Sequence, residues 1–446
     1  MLASQLADAV VDVAQAPLPV AVRLEAERSL VNIVGTAVRA CHDPAVDQVL
    51  EVARLVGGPG GALVPGRREG ADLHFAALAT GLAAHLDDFD DTHLESGNIH
   101  ASSIALAATL GIGVELGVSG DRFVSAFALA CEMLIRAGLA LAPAHHQEGW
   151  QPSATVGAMA GAVGAGLLLG LDRSGMADAI RIASIQLLGH REAFGTPTKA
   201  IHPGKAAANG ILAARLAQAG MEGPRGVLES EGGFCSALAR INHPELMVEG
   251  LGRSWELLRN TYKPYPCGVV CHPGIDAARA VFERCPEPGS ILEVTYLCHP
   301  LVMELTDRPD PQDGLEARFS AQHGVAAALV GGRAGLNEYS DRYVKDPQVL
   351  RVRALVRLVP TADLDREEAM IEVEFNGGRR LRERVLHARG SLARPLSEAE
   401  LAAKLDDLVQ EVLPDRGARI RRAISGLGAA PDLQELRAAL LPEAAQ

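Results

Sequence analysis

Aromatic side chains are scarce in this sequence: two Trp, five Tyr and nine Phe among 446 residues, or 4%. A core without rings has to be built from Ala, Leu, Val and Gly. That suits helices packed closely through small residues and excludes an aromatic-rich β-sandwich. An excess of positive charge is also missing. Lys and Arg number 42 against 55 Asp and Glu, a net charge of −13, which excludes a sequence-independent nucleic-acid binder, since that needs a basic footprint. Seven scattered cysteines in a long chain are no disulfide framework. No phosphate loop, dinucleotide fingerprint or nucleophile elbow is present, so nothing points to ATP, NAD or acyl-enzyme chemistry. No period of 20–50 residues marks a repeat architecture.

Membrane and export signals are weak as well. Asp8 and Asp12 interrupt the first helix-like stretch, so it does not read as a signal peptide. Residues 154–171, ATVGAMAGAVGAGLLLGL, just reach the roughly 18 apolar residues of a membrane span. Their Gly and Ala content, without flanking aromatic anchors, reads as a buried helix. The expectation is a soluble, cytoplasmic protein with no membrane or nucleic-acid partner.

What is present is ordinary globular material: 48% apolar and 22% charged residues, in a length that allows two or three domains. To about residue 260 the pattern is helical. Pro19 opens a helix through Arg39, and Asp43-Pro44 reads as a cap followed by Pro at the first position of a helix over 44–55. Further helices are predicted over 71–86, 101–116, 121–141, 153–171, 174–188, 205–219 and 233–240. Beyond about 268 the texture becomes β-rich, with strands over 291–299, 352–361, 370–378 and 379–390 and helices at 273–285 and 317–331. Asn376-Gly377-Gly378 signals a hairpin. Ser397 with Glu400 makes a capping box for a final helical stretch, which returns to the helical part. The fold class is therefore mainly α with an α+β second domain. Residues 1–267 and 395–446 form a discontinuous all-helical domain, and 268–394 form the α+β domain.

Three polar clusters carry candidate chemistry. The densest runs from His85 to Ser102 and holds Asp87, Asp88, Asp90, Asp91, Thr92, His93, Glu95 and His100. Crowded carboxylates must be protonated, paired with cations or bound to metal, and a neighbouring His exchanges protons near neutral pH. A solvated acidic connector is the plain alternative; the spacing matches no defined metal motif. The second cluster, residues 189–210, holds His190, Arg191, Lys199, His202 and Lys205. His202-Pro203-Gly204 reads as a break that puts Lys205 near a helix N-terminus, an anion site; a basic surface loop is the alternative. The third, residues 262–278, has Lys263 stiffened by prolines, with Cys267, Cys271 and His272 too few for a zinc site. A weaker fourth cluster contains Arg308 and Arg318. Acid/base groups beside cations fit a small polycarboxylate gripped by Lys and Arg and altered next to a carboxylate.

The blocks HLDDFDDTHLESGNIHAS, GWQPSATVGAMAGAVGAGLLLGLD, TKAIHPGKAAANGILAA, EGGF and KPYPCGVVCHPGIDAA, in this order, resemble the MmgE/PrpD family across nearly the whole chain. That family contains 2-methylcitrate dehydratases, cis-aconitate decarboxylases and iminodisuccinate epimerases. The resemblance implies a homodimer, a helical domain built from both chain ends, and catalysis without metal or organic cofactor. It implies Asp88, His100, Lys199 and Lys263 as catalytic residues. Thr92, Gln151, His202, Lys205 and Arg308 are the expected substrate contacts. Two positions depart from the family pattern. Gln151 stands where a His is usual, and a neutral amide is no general acid or base. Leu305 stands where decarboxylase-like members would have Tyr. The expected activity is dehydration of a 2-methylcitrate-like or alkylcitrate-like hydroxy acid. The alternatives are epimerisation at a carbon alpha to a carboxylate, polycarboxylate binding without turnover, and decarboxylation.

Overall fold

The computed structural model describes residues 1–186, 189–193 and 196–443. The chain divides into two compact units: residues 1–86, 90–260 and 397–446 form the first, and 87–89 with 261–396 form the second. The first is helical and the second is α+β. The chain passes into the second unit after Asn260 rather than after 267, and returns at Ser397 rather than at 395. The sequence pattern gave no hint that Asp87–Phe89, in the middle of the acidic run, belongs to the second unit.

The first unit contains α1 (Leu2–Ala14), α2 (Val20–Arg39), α3 (Pro44–Val56), α4 (Leu73–Leu86), α5 (Ala101–Leu116), α6 (Gly120–Leu141), α7 (Pro152–Leu169), α8 (Arg173–Ser184) and α9 (Pro197–Gln218). Asp43 caps α3 by accepting from Ala45 N, with Pro44 at the first position. α8 ends at Ser184, short of the expected 188; residues 187 and 188 lie outside the described residues. α7 packs against α5, α6 and α9, and α5 also packs on α6 and α9; these contacts rely on small residues. At the α4–α9 crossing, a Cβ on Gly204 would lie 2.1 Å from Leu78 O, and one on Gly81 would lie 2.4 Å from Gly204 Cα. Only glycine at both positions lets the two backbones touch. α6 and α7 are long and apolar enough to cross a membrane, yet 94% and 89% of their apolar windows are buried inside the protein. They are therefore core helices here.

α9 begins at Pro197, not at 205. The Pro203-Gly204 pair that reads as a break is inside the helix, where Pro203 supplies no N–H for the fourth carbonyl before it, that of Lys199.

In the second unit, α10 (His272–Arg284) and α11 (Ala321–Gly331) accompany a four-stranded sheet. Its strands are β1 (Ile291–Cys298), β2 (Val356–Pro360), β3 (Ala369–Phe375) and β4 (Arg380–Val385), in the order β2-β1-β3-β4. β1 and β2 are parallel, with Val294 opposite Val356; β3 is antiparallel to both β1 and β4. Val294, Tyr296 and Cys298 of β1 alternate into the core. Asn376–Gly378 turns the β3–β4 hairpin, with Gly377 and Gly378 both at φ +80°, so both strands are shorter than the sequence pattern predicts. Val352 and Arg353, expected in a strand, finish a short helix over Pro347–Arg353 instead. After Ser397, which closes its capping box with Glu400, α12 (Glu398–Val409) packs on α2.

Candidate active site

α4 carries His85 in its last turn, where the side chain is fully buried. The chain comes back to it at Asp90. Asp90 Oδ2 lies 2.7 Å from His85 Nδ1, and Asp90 Oδ1 lies 3.3 Å from His100 Nδ1. The two imidazoles are 4.7 Å apart between centroids. His100 Nδ1 is also 2.8 Å from Asp91 O and 3.5 Å from Thr92 Oγ1. A carbonyl oxygen only accepts, so neutral His100 carries its proton on Nδ1 and keeps Nε2 as the basic nitrogen.

Burial alone would push the Asp90 carboxyl up, but the two imidazoles beside it hold it well below the usual carboxylate range. Burial pushes His85 down to about 4, assisted by the nearby Lys199 ammonium and opposed by Asp90. Asp90 is therefore a buried anion and His85 a neutral donor.

The remaining acids of the run do other work. Asp91 accepts from Ser102 Oγ and Asn260 Nδ2, each at 2.6 Å, tying the start of α5 to the end of the first unit's central chain segment. Burial and the Asp90 charge push its carboxyl up. His93 is hydrogen-bonded to Ser96, and Glu95 pairs with Arg259. His100 N donates to Ser153 Oγ, which fixes the start of α5 against the start of α7.

Asp88 sits in the second unit at φ +50°, an uncommon conformation for a non-glycine residue. Lys263 Nζ donates to Asp88 Oδ2 at 2.9 Å and to Asp88 O at 3.0 Å, with both side chains buried. Arg318 grips Asp87 through both its carbonyl and its carboxylate, and also reaches Pro266 O. Two cations thus hold the Asp87–Phe89 turn, and Asp88 is the ion-pair partner of Lys263.

Lys199 is the third residue of α9 and is 6% exposed. An ammonium in the first turn opposes the helix dipole, and its burial adds a desolvation cost. His202, one turn on, is pushed down to about 4 by burial, with Lys199 and His190 contributing. Lys205 lies elsewhere: its charge acts on His74, at the opposite end of α4 from His85. Along the α4 axis that is about 16 Å, so Lys205 is apart from the His85–His100 cluster. It is also well inside α9 rather than at an N-terminus. Gln151 caps α7, its Oε1 accepting from Ala154 N at 2.6 Å. Only the amide N–H groups of Gln151 remain as ligand donors. Arg308, in the second unit, packs its guanidinium over the Phe319 ring.

His85, Asp90 and His100 place ligand atoms within 4.8 Å of one another. Two ligands about 2.1 Å from a tetrahedral metal stand about 3.4 Å apart. His85 and Asp90 are joined by a direct hydrogen bond of 2.7 Å, so holding a metal would require the two side chains to move apart. Cys267 and Cys271 are buried among apolar residues of the second unit, and burial pushes the Cys267 thiol up well above its usual range.

Sequence reasoning passed over His85 and Asp90 as individual candidates. Their spacing of five residues across a helix end was the available signal, but choosing among five carboxylates required the turn at Asp88. The family model of the MmgE/PrpD N-terminal domain matches residues 4–247, and that of the C-terminal domain matches residues 265–427. Similar proteins include a cis-aconitate decarboxylase of Aspergillus terreus, 27% identical over 396 residues, covering 79% of this chain and 81% of that protein. Another is the cis-aconitate decarboxylase of Homo sapiens, 28% identical over 345 residues, covering 74% and 71%. With both family domains matched in order along most of its length, the chain belongs to the MmgE/PrpD family.

Proposed function

We propose that the protein is a cofactor-independent lyase acting on a small polycarboxylate at a carbon next to a carboxylate. The observation that carries this reading is the buried His100, with Nε2 left basic by its contacts, in the same unit as the buried Lys199. His100 transfers the proton at the reacting carbon. Lys199 binds a carboxylate and stabilises the enediolate-like charge that develops as the proton leaves. Asp88 holds the Lys263 ammonium in place within the second unit, and Thr92 hydrogen-bonds a substrate oxygen. His202 and Gln151 contribute polar contacts, Gln151 as an amide donor.

Within this class we propose dehydration of an alkylcitrate-like hydroxy acid. A proton leaves the carbon alpha to a carboxylate, hydroxide leaves the neighbouring carbon as water, and a conjugated alkene remains. A second reading, decarboxylation, is favoured by the relatives named cis-aconitate decarboxylase. There the carbanion left by departing CO2 is protonated, so the same histidine serves.

The test is a panel of citrate, alkylcitrates and cis-aconitate, followed by absorbance of a conjugated alkene and by CO2 release. Alkene formation from a hydroxy acid supports dehydration, and CO2 release supports decarboxylation. Solvent deuterium entering unchanged substrate marks epimerisation. A folded protein that produces none of these overturns the proposal, and ligand-dependent thermal stabilisation without product would mark a binding protein.

A further inference from the structure

The His85–Asp90 pair has no part in the roles assigned above, yet both side chains are buried beside His100. We infer that His85 and Asp90 are positioning residues that hold His100 in the tautomer with its proton on Nδ1 and its Nε2 basic. The inference rests on the catalytic reading of His100 and deepens it.

Three acceptors face His100 Nδ1: Asp91 O, Asp90 Oδ1 and Thr92 Oγ1. Of these only Asp90 brings a full negative charge, and a charged acceptor favours the N–H most strongly. His85 Nδ1 holds the other Asp90 oxygen at 2.7 Å, which fixes the carboxylate with Oδ1 at 3.3 Å from His100 Nδ1. Because the acceptor is a carboxylate, His85 carries its own proton on Nδ1. Its Nε2 is then a buried lone pair with no hydrogen-bond partner among the described residues. A residue kept only to fill space would be apolar and would not leave an acceptor unmet. Burial keeps the His85 ring neutral against the pull of Asp90, with the Lys199 charge assisting, so His85 does not neutralise Asp90. The chain is carboxylate-mediated: His85 orients Asp90, and Asp90 orients His100, as an acid behind a catalytic imidazole does.

The test compares His85→Phe, which removes the donor, with His85→Asn, whose amide N–H sits close to the position of imidazole Nδ1. The first readout is the nitrogen-15 NMR spectrum of the histidine rings in the full chain without substrate. The His100 signals are identified by their loss in His100→Gln. The native chain and His85→Asn should each show a single His100 tautomer with Nδ1 protonated. His85→Phe should show a mixture. The second readout is kinetic: in His85→Phe, kcat falls about tenfold or more with KM within about twofold, and His85→Asn restores most of it. A folded His85→Phe chain with one unchanged His100 tautomer overturns the inference, as does an equal loss of kcat in His85→Asn. If His85→Phe does not fold, His85→Ala takes its place in both readouts. The spectrum needs no turnover, so its outcome stands even if no polycarboxylate is a substrate.

Discussion

Replacing Gly204 with alanine should separate α4 from α9 and disturb the site at the same time. The added Cβ would lie 2.1 Å from Leu78 O, 2.9 Å from Leu78 C and 3.0 Å from Leu78 Cα. Comfortable separation is about 3.5 Å, so the helices must part by about 1 Å or more. These are backbone atoms and cannot rotate away. Overpacking of this kind costs about 1–3 kcal/mol, and the upper end is expected because neither partner is a flexible side chain. At about 1–2 °C per kcal/mol for a chain of 446 residues, the melting temperature should fall by about 3–6 °C. The same displacement moves Lys199, five residues earlier on α9, relative to His85, four residues beyond Gly81 on α4. Activity at permissive temperature should therefore drop as well. Circular-dichroism melts and initial rates on the working substrate measure both effects. Gly58→Ala is the control, because a Cβ there meets nothing within 4 Å. If Gly204→Ala melted with the control and kept its rate, the close α4–α9 contact would be wrong, and so would its role in placing the lysine.

Other expectations follow from single side chains. His323 is fully buried and held at about 4 chiefly by burial, against about 6.5 for the unfolded chain. The unfolded chain binds more protons between those values. Stability is therefore full above pH 6.5, falls as the pH drops through the window and levels off below 4, losing about 2 kcal/mol from His323 by pH 5. His85 acts in the same window and in the same direction. Urea titrations at pH 7.5 and 5 should show the loss. His323→Gln keeps the donor to Glu338 O and should flatten part of the slope; an unchanged slope would count against the assignment. Glu132 is buried against Arg136 and accepts from Glu256 N and Leu257 N. Glu132→Ala should cost about 3–5 kcal/mol by leaving the guanidinium unpaired, read by urea unfolding, and a cost below about 1 kcal/mol would show the pair to be solvated. Lys199→Met should lower kcat by about 100-fold or more while leaving the melting temperature level or raised, since it removes a buried charge. A Lys199→Met chain with native kcat would remove that residue from catalysis.

Local chemistry made much of the fold legible. The Asp43 cap, the Ser397–Glu400 capping box and the helix over 101–116 follow from residues adjacent in sequence, because caps and periodicity act within one or two turns. The start of α9 was hidden because Pro-Gly ordinarily ends helices. Here Gly204 is retained for the contact with α4, a tertiary reason that no local pattern contains. The role of Gln151 as the α7 cap was hidden by its place opposite a family histidine, which drew attention to ligand chemistry rather than to Ala154 N. In the candidate site, Thr92 and His100 were placed together from the acidic run, and the structure brings them to the same cluster. Lys205 was drawn in by its position after His202 and lies by His74 instead. Asp90 is distinguished from Asp88 by the left-handed conformation of Asp88 after the end of α4. The small-residue composition expected from the shortage of aromatics proved to be the means of helix contact.

The central claim is metal-free proton transfer by His100 beside a carboxylate. Its most direct test is proton NMR of citrate, 2-methylcitrate and cis-aconitate incubated in D2O with the full chain and excess EDTA. The account predicts deuterium at the carbon next to a carboxylate, in substrate or product, with a rate that collapses in a folded His100→Gln chain. No deuterium from any of the three acids with the folded native chain, or an undiminished rate in His100→Gln, would contradict it.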